Sequence, residues 1–357
     1  MALTGLIIGG LLGFALQRGR FCVTGAFRDV WLTKKTRWLT AFFITIAVQS
    51  VGIFALAAAG VISLTGGEFP WLAAIVGGLI FGFAIVFAGG CATGTYYRAG
   101  EGLIGSWIAL VGYAVTAAVM KFGAGTPVTE GLRSVTAPVG TLYEFLGINP
   151  WVLVVVLVAG TGIAVGRQLR RDGALPRPVR LPAKHTGLRH LLFERPWGAF
   201  STAVVVGLIG IIAFPLSYAS GRPSGLGITT PSANIVGYLV TGDIALIDWG
   251  VWLVVGILVG SFIAAKGSGE FRLRVPDTAT ILRSSLGGIL MGVGAAIAGG
   301  CTIGNAMVGS ASFTLQGWVS FAAMLLGTGI AVPLVFGRRR AATSTPVTVP
   351  RQTTPVA

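Results

Sequence analysis

Nine apolar runs punctuate this 357-residue chain, near residues 2–17, 40–62, 71–90, 103–121, 150–166, 197–216, 249–266, 283–300 and 316–336. A helix crosses a hydrocarbon core with about 17–25 residues, so these runs restrict the fold more than any single motif. They predict an all-α, polytopic integral membrane protein with about nine transmembrane helices, joined by shorter re-entrant helices. Only 10% of the residues are charged, against roughly a quarter in soluble domains. The 55 glycines suit helices that pack backbone to backbone in lipid, where small residues replace hydrophobic burial as the packing device. The first run lacks a basic leader, and Arg18 and Arg20 follow it where a small-residue cleavage site would stand; it reads as a retained helix.

Lys and Arg placement orients the chain. With the N terminus outside and nine crossings, only Lys121, Arg133 and Arg222 of the 26 basic residues fall outside. The positive-inside rule therefore selects N-out, C-in. The net charge of +15 is a topology signal, scattered over loops without a nucleic-acid motif, and predicts no nucleic-acid partner. Four regions follow: a first transmembrane half (1–166), a basic cytoplasmic linker (167–196), a second transmembrane half (197–337) and a disordered cytoplasmic tail (338–357). The linker reads either as a solvated connector touching anionic lipid headgroups or as a dock for an acidic cytosolic partner.

The halves repeat. GGLIFGFAIVFAGGCATGT, from Gly77 to Thr95, aligns without a gap on GGILMGVGAAIAGGCTIGN, from Gly287 to Asn305. A weaker match joins GLLG followed by GRFC (Gly10 to Cys22) to GLIG followed by GRPS (Gly207 to Ser224), with different spacing. In the nine-helix topology the two aligned helices run in opposite directions, an inverted-topology repeat of the kind that places secondary-transporter sites between halves.

Gly89-Gly90 and Gly299-Gly300 directly precede Cys91 and Cys301. Paired glycines are poor helix formers and admit positive φ, so each helix is expected to break and turn there. Irregular backbone at membrane depth needs surrounding protein or a water-filled cavity. The three cysteines, Cys22, Cys91 and Cys301, each lie just beyond an apolar helix in a glycine-containing context. No CxxC or Cys/His cluster suggests a metal site, and no cofactor is expected. His185 and His190 are remote in sequence from every cysteine, so a Cys–His nucleophile has no evident base.

The blocks GRFCVTGAFRD (Gly19 to Asp29), AGGCATG (Ala88 to Gly94) and AGGCTIG (Ala298 to Gly304), with their flanking helices, resemble the YeeE/YedE family of bacterial sulfur transporters, whose characterised members take up thiosulfate. The resemblance covers roughly residues 1–337. It implies an hourglass-like inverted repeat in the bacterial inner membrane. Thiosulfate would pass between thiols at Cys22, Cys91 and Cys301 without being consumed, through a transporter and not an enzyme. It also implies a small TusA-like sulfur carrier as a cytosolic partner. Ser224 stands where the first half has Cys22, so the pathway need not be symmetric.

Thiol chemistry fits such a cargo. Thiosulfate is a dianion with a soft terminal sulfur; neutral S–H groups donate weakly, and several shallow sites in series allow both entry and release. Gly89, Gly90, Gly94, Gly299, Gly300 and Gly304 are expected to support the loops. Arg20, Arg28 and Arg98, near Cys22 and Cys91 in sequence, are candidates for attracting the anion, and equally serve as topology determinants. Asp29 and Glu101 each have a neighbouring arginine to pair with. Two other functions remain open from the residues alone: transport of another soft sulfur or selenium compound, and a membrane sulfurtransferase or redox enzyme working through a cysteine persulfide.

Overall fold

The computed structural model describes residues 2–64, 66–173 and 186–343. The expected linker's residues 174–185 and the expected tail's residues 344–357 lie outside the described residues. The first half comprises α1 (Ala2–Gly19), α2 (Val23–Leu32), α3 (Arg37–Ala58), α4 (Trp71–Ala88), α5 (Ala92–Gly100), α6 (Ile104–Phe122), α7 (Thr126–Arg133), α8 (Leu142–Leu146) and α9 (Pro150–Gly173). After the short α10 (Gly187–Arg189), the second half comprises α11 (Ala199–Ala219), α12 (Thr229–Thr241), α13 (Trp249–Gly267) and α14 (Thr278–Ile297). A π-helical segment (Thr302–Gly309) and α15 (Leu315–Thr343) complete it. Among the described residues nine stretches are long and apolar enough to cross a membrane, matching the nine apolar runs. The protein is an all-α polytopic membrane protein.

Glycine determines how these helices meet. On α1, Gly5, Gly9 and Gly13 face Trp249, Leu253 and Ile257 of α13 in ascending order, so the two helices are parallel and touch through backbone. By the same registration α3 is parallel to α11 (Gly207 beside Val48, Gly210 beside Gln49), α4 to α15 (Gly78 beside Ser320, Gly82 beside Met324) and α6 to α14 (Gly288 beside Ala109, Gly292 beside Tyr113). The central pair differs. Gly77 of α4 faces Ala298 and Gly294, whereas Gly287 of α14 faces Ala88, so α4 and α14 are antiparallel. Exchanging the halves maps this packing scheme onto itself: α1 on α13 becomes α11 on α3, and α4 on α15 becomes α14 on α6.

Buried hydroxyls tie the bundle across helices, as lipid-embedded helices use polar side chains. Thr45 donates to the Ala203 carbonyl at 3.0 Å, Ser50 to Ala311 at 2.6 Å and Thr328 to Gly82 at 3.0 Å. Helix α9 stands at the periphery against α3, with Val155, Val156 and Ile163 exposed. Two features add to the sequence reading. Helix α9 continues past the apolar run to Gly173, because a helix that has left the hydrocarbon can carry Arg167, Arg170 and Arg171 in water. Helix α12 has 13 residues, too few to span, and packs on α6 and α13.

Candidate functional site

Each cysteine begins a helix. Cys22, Cys91 and Cys301 occupy the N-cap positions of α2, α5 and the π-helical segment, in extended backbone. Two of the preceding helices end as the paired glycines dictate: Gly89 adopts φ 72° and Gly299 φ 73°, the left-handed conformation that glycine enters without a Cβ penalty. Gly77 and Ala88 on α4 are eleven residues apart, about 16 Å along a helix, and each end abuts the opposite end of α14. The two breaks therefore lie at opposite ends of one helix pair. Yet the Thr302 side chain lies beside the Cys91 thiol, so beyond each break the chain doubles back, and the cysteine loops meet beside that pair.

All three thiols are free and buried. Those of Cys22 and Cys91 are neighbours on either side of Gly94. The Gly94 amide donates to Cys91 Sγ at 3.4 Å, and a Cβ on Gly94 would lie 3.0 Å from Cys22 Sγ and 3.5 Å from Cys91 Sγ. Gly94 thus keeps open the space between two thiols. Cys301 has Tyr96 and Tyr113 within electrostatic range, and both phenols are held on α12: Tyr96 pairs with Ser232 at 2.8 Å and Tyr113 donates to Thr229 at 2.8 Å.

The other loop glycines do unequal work. A Cβ on Gly90 would make ordinary contact with the Gly94 backbone, and one on Gly300 would crowd the Asn305 amide at 2.8 Å. Asn305 donates to the carbonyls of Ala298 at 2.8 Å and Gly300 at 3.2 Å, with Gln316 also donating to Ala298 at 2.7 Å. Gly304 faces open space. Ser224, the second-half residue matched to Cys22, is exposed and precedes α12 by several residues.

The three arginines read from sequence have partners. Arg98 donates to the Gly89 carbonyl and lies over the Tyr97 ring at 5.8 Å. It holds the end of α4 while its charge acts on Cys22 and Cys91. Arg20 bridges Glu101 at 3.0 Å and Glu270 at 2.9 Å, tying the end of α1 to the C-terminal end of α5 and the α13–α14 connection. Burial raises the Glu101 carboxyl above its ordinary value, with Arg20 opposing. Arg28 pairs with its neighbour Asp29 at 3.0 Å.

Four polar residues escaped the sequence reading. The hydroxyls of Thr24, Thr93 and Thr302 are buried without a hydrogen-bonding nitrogen or oxygen. The signal was present, since CVTG and CATG share C-x-T-G, but threonine near a helix start is too ordinary to notice. Arg133, read only as a residue outside, fills the space above Gly299. Its Nη1 is buried without a partner, and burial lowers the guanidinium below its ordinary value.

Comparison with known proteins adds the relationship. A family model described as sulphur transport matches residues 18–330. The chain is 52% identical over 338 residues to the thiosulfate transporter TsuA of Escherichia coli (strain K12), covering 95% of this chain and 96% of that protein. It is 33% identical over 354 residues to the thiosulfate transporter TsuA of Spirochaeta thermophila, covering 95% and 100% respectively. The probable transporter YedE of Escherichia coli (strain K12) is 37% identical over 119 residues, 33% of this chain and 29% of that protein.

Proposed function

The chain belongs to the sulphur-transport family, and from that premise we propose that it carries thiosulfate across the bacterial inner membrane by handing the ion between the thiols of Cys22, Cys91 and Cys301. The observation that carries this reading is the convergence of the three cysteine loops: the Cys22 and Cys91 sulfurs both lie against Gly94, and Thr302, next to Cys301, lies beside Cys91. A neutral thiol donates to the soft terminal sulfur without the repulsion a thiolate would exert on a dianion. Weak donors in series let the ion leave each position for the next. Arg98, within electrostatic range of Cys22 and Cys91, offsets part of the anion's lost hydration, whereas Arg20 and Arg28 are already paired with carboxylates.

The same reading sets the molecule N-out and C-in, with the halves as an inverted repeat. Its support is the basic-residue asymmetry and the antiparallel contact of α4 with α14. The basic linker then faces the cytosol, where a small TusA-like sulfur carrier would receive the product. The test is growth of a sulfur-auxotrophic bacterium on thiosulfate as sole sulfur source, comparing wild type with Cys22→Ala, Cys91→Ala and Cys301→Ala at equal expression. Each substitution is expected to impair growth; unimpaired growth of all three refutes the relay.

A further inference from the structure

The three buried threonines form a pattern. Thr24 and Thr93 are the second residues of α2 and α5, and Thr302 is the first of the π-helical segment, so each follows its cysteine by one or two positions. They are 5%, 2% and 0% exposed, and each hydroxyl lacks a nitrogen or oxygen partner. Threonines deeper in a helix satisfy themselves: Thr95 of α5 donates to the Ala92 carbonyl at 2.6 Å and Thr328 of α15 to Met324 at 2.9 Å. Near a helix start the preceding carbonyl needed for such back-bonding is missing, so these three hydroxyls stay free to donate elsewhere. A buried donor without a partner costs stability, and here the cost recurs beside all three thiols.

We infer that Thr24, Thr93 and Thr302 are the oxygen-recognising half of the pathway, donating to the oxygens of a sulfur oxyanion while the adjacent thiols take its sulfur. The inference rests on the transport reading above and narrows its cargo. Hydroxyl donors to an oxyanion make charge-assisted bonds stronger than thiol contacts. A site built to bond a substrate's oxygens disfavours an analogue without them, because the site's own polar groups are then left unpaired. The cargo class is therefore an oxyanion carrying a terminal sulfur, and a bare hydrosulfide fits poorly.

Thr93→Val replaces a hydroxyl with a methyl of the same shape, and two measurements separate recognition from structure. In proteoliposomes the KM for radiolabelled thiosulfate is expected to rise about tenfold or more, the worth of one hydrogen bond to a charged group, and Thr93→Ser is expected to restore it. The thermal midpoint of detergent-purified Thr93→Val is expected to equal or exceed wild type, since an unpaired buried hydroxyl has been removed. A KM within about twofold of wild type, a serine variant that fails to restore uptake, or a lowered midpoint each overturns the inference. Wild type and Cys91→Ala run in parallel. Uptake by wild type that Cys91→Ala loses, with Thr93→Val unchanged, removes the threonine role and leaves the relay standing; no uptake by wild type removes both.

Discussion

Gly94→Ala places one methyl group between two thiols. The new Cβ would lie 3.0 Å from Cys22 Sγ and 3.5 Å from Cys91 Sγ, whereas comfortable heavy-atom contacts lie at about 3.5–4.0 Å. The Cys22 thiol must withdraw by roughly 0.5–1 Å. Two energies compete. Alanine favours the helical backbone by about 1 kcal/mol over glycine, and overpacking costs about 1–3 kcal/mol, so the net change in stability is small or mildly unfavourable. Transport is far more sensitive: a misplacement of about 1 Å between cooperating groups can cost around a hundredfold, and the methyl fills the space a passing ion would use. Gly94→Ala is thus expected to keep a near-native thermal midpoint in detergent and lose at least about tenfold in thiosulfate uptake. Gly25→Ala and Gly304→Ala are matched controls, because a Cβ at either position meets nothing within 4 Å. Uptake by Gly94→Ala within about twofold of wild type, or equal losses in the controls, would refute a functional space between the thiols.

Two further perturbations test the scaffold. Gly287→Ala drives a Cβ into the backbone of Phe87 and Ala88 on the facing helix; neither can rotate away, so α4 and α14 must separate, at about 1–3 kcal/mol or more. A lowered thermal midpoint is expected, with Gly160→Ala on the open face of α9 unchanged; similar midpoints for both would show that the close approach carries no stability. Glu101, raised by burial more than Arg20 lowers it, binds its proton more tightly folded than unfolded. The resulting stabilisation is full below the ordinary carboxylate range and lost as pH rises through the raised value. Midpoints measured against pH should therefore fall more steeply for wild type than for Glu101→Gln, and parallel curves would exclude Glu101 as the group responsible.

Period and length made the membrane fold readable, since a continuous apolar run of spanning length satisfies its backbone in lipid as a helix. The glycine pairs were readable for the same reason: Gly89 and Gly299 do enter the left-handed conformation. Pairing between helices was not. That Gly9 meets Leu253, or Gly77 meets Ala298, depends on contacts between halves more than two hundred residues apart, for which local pattern carries no signal. Helix α12 was missed because 13 residues beginning with Thr-Thr-Pro-Ser look like a loop to any test built on spanning length. The cysteines stood out as rare residues in repeated settings, whereas Thr93 and Arg133 are common types, distinguished only by having no partner once buried.

The exchange of helices between halves also governs how the molecule is made. Each of the four parallel pairs, α1 with α13, α3 with α11, α4 with α15 and α6 with α14, takes one member from either side of the linker. During synthesis the first half enters the membrane with its glycine surfaces at Gly9, Gly13, Gly77 and Gly82 facing lipid, and their partners are still unmade. A chain stopped at the linker is therefore no smaller version of the protein but an unfinished one, whose final helix order waits for the last segment to leave the ribosome.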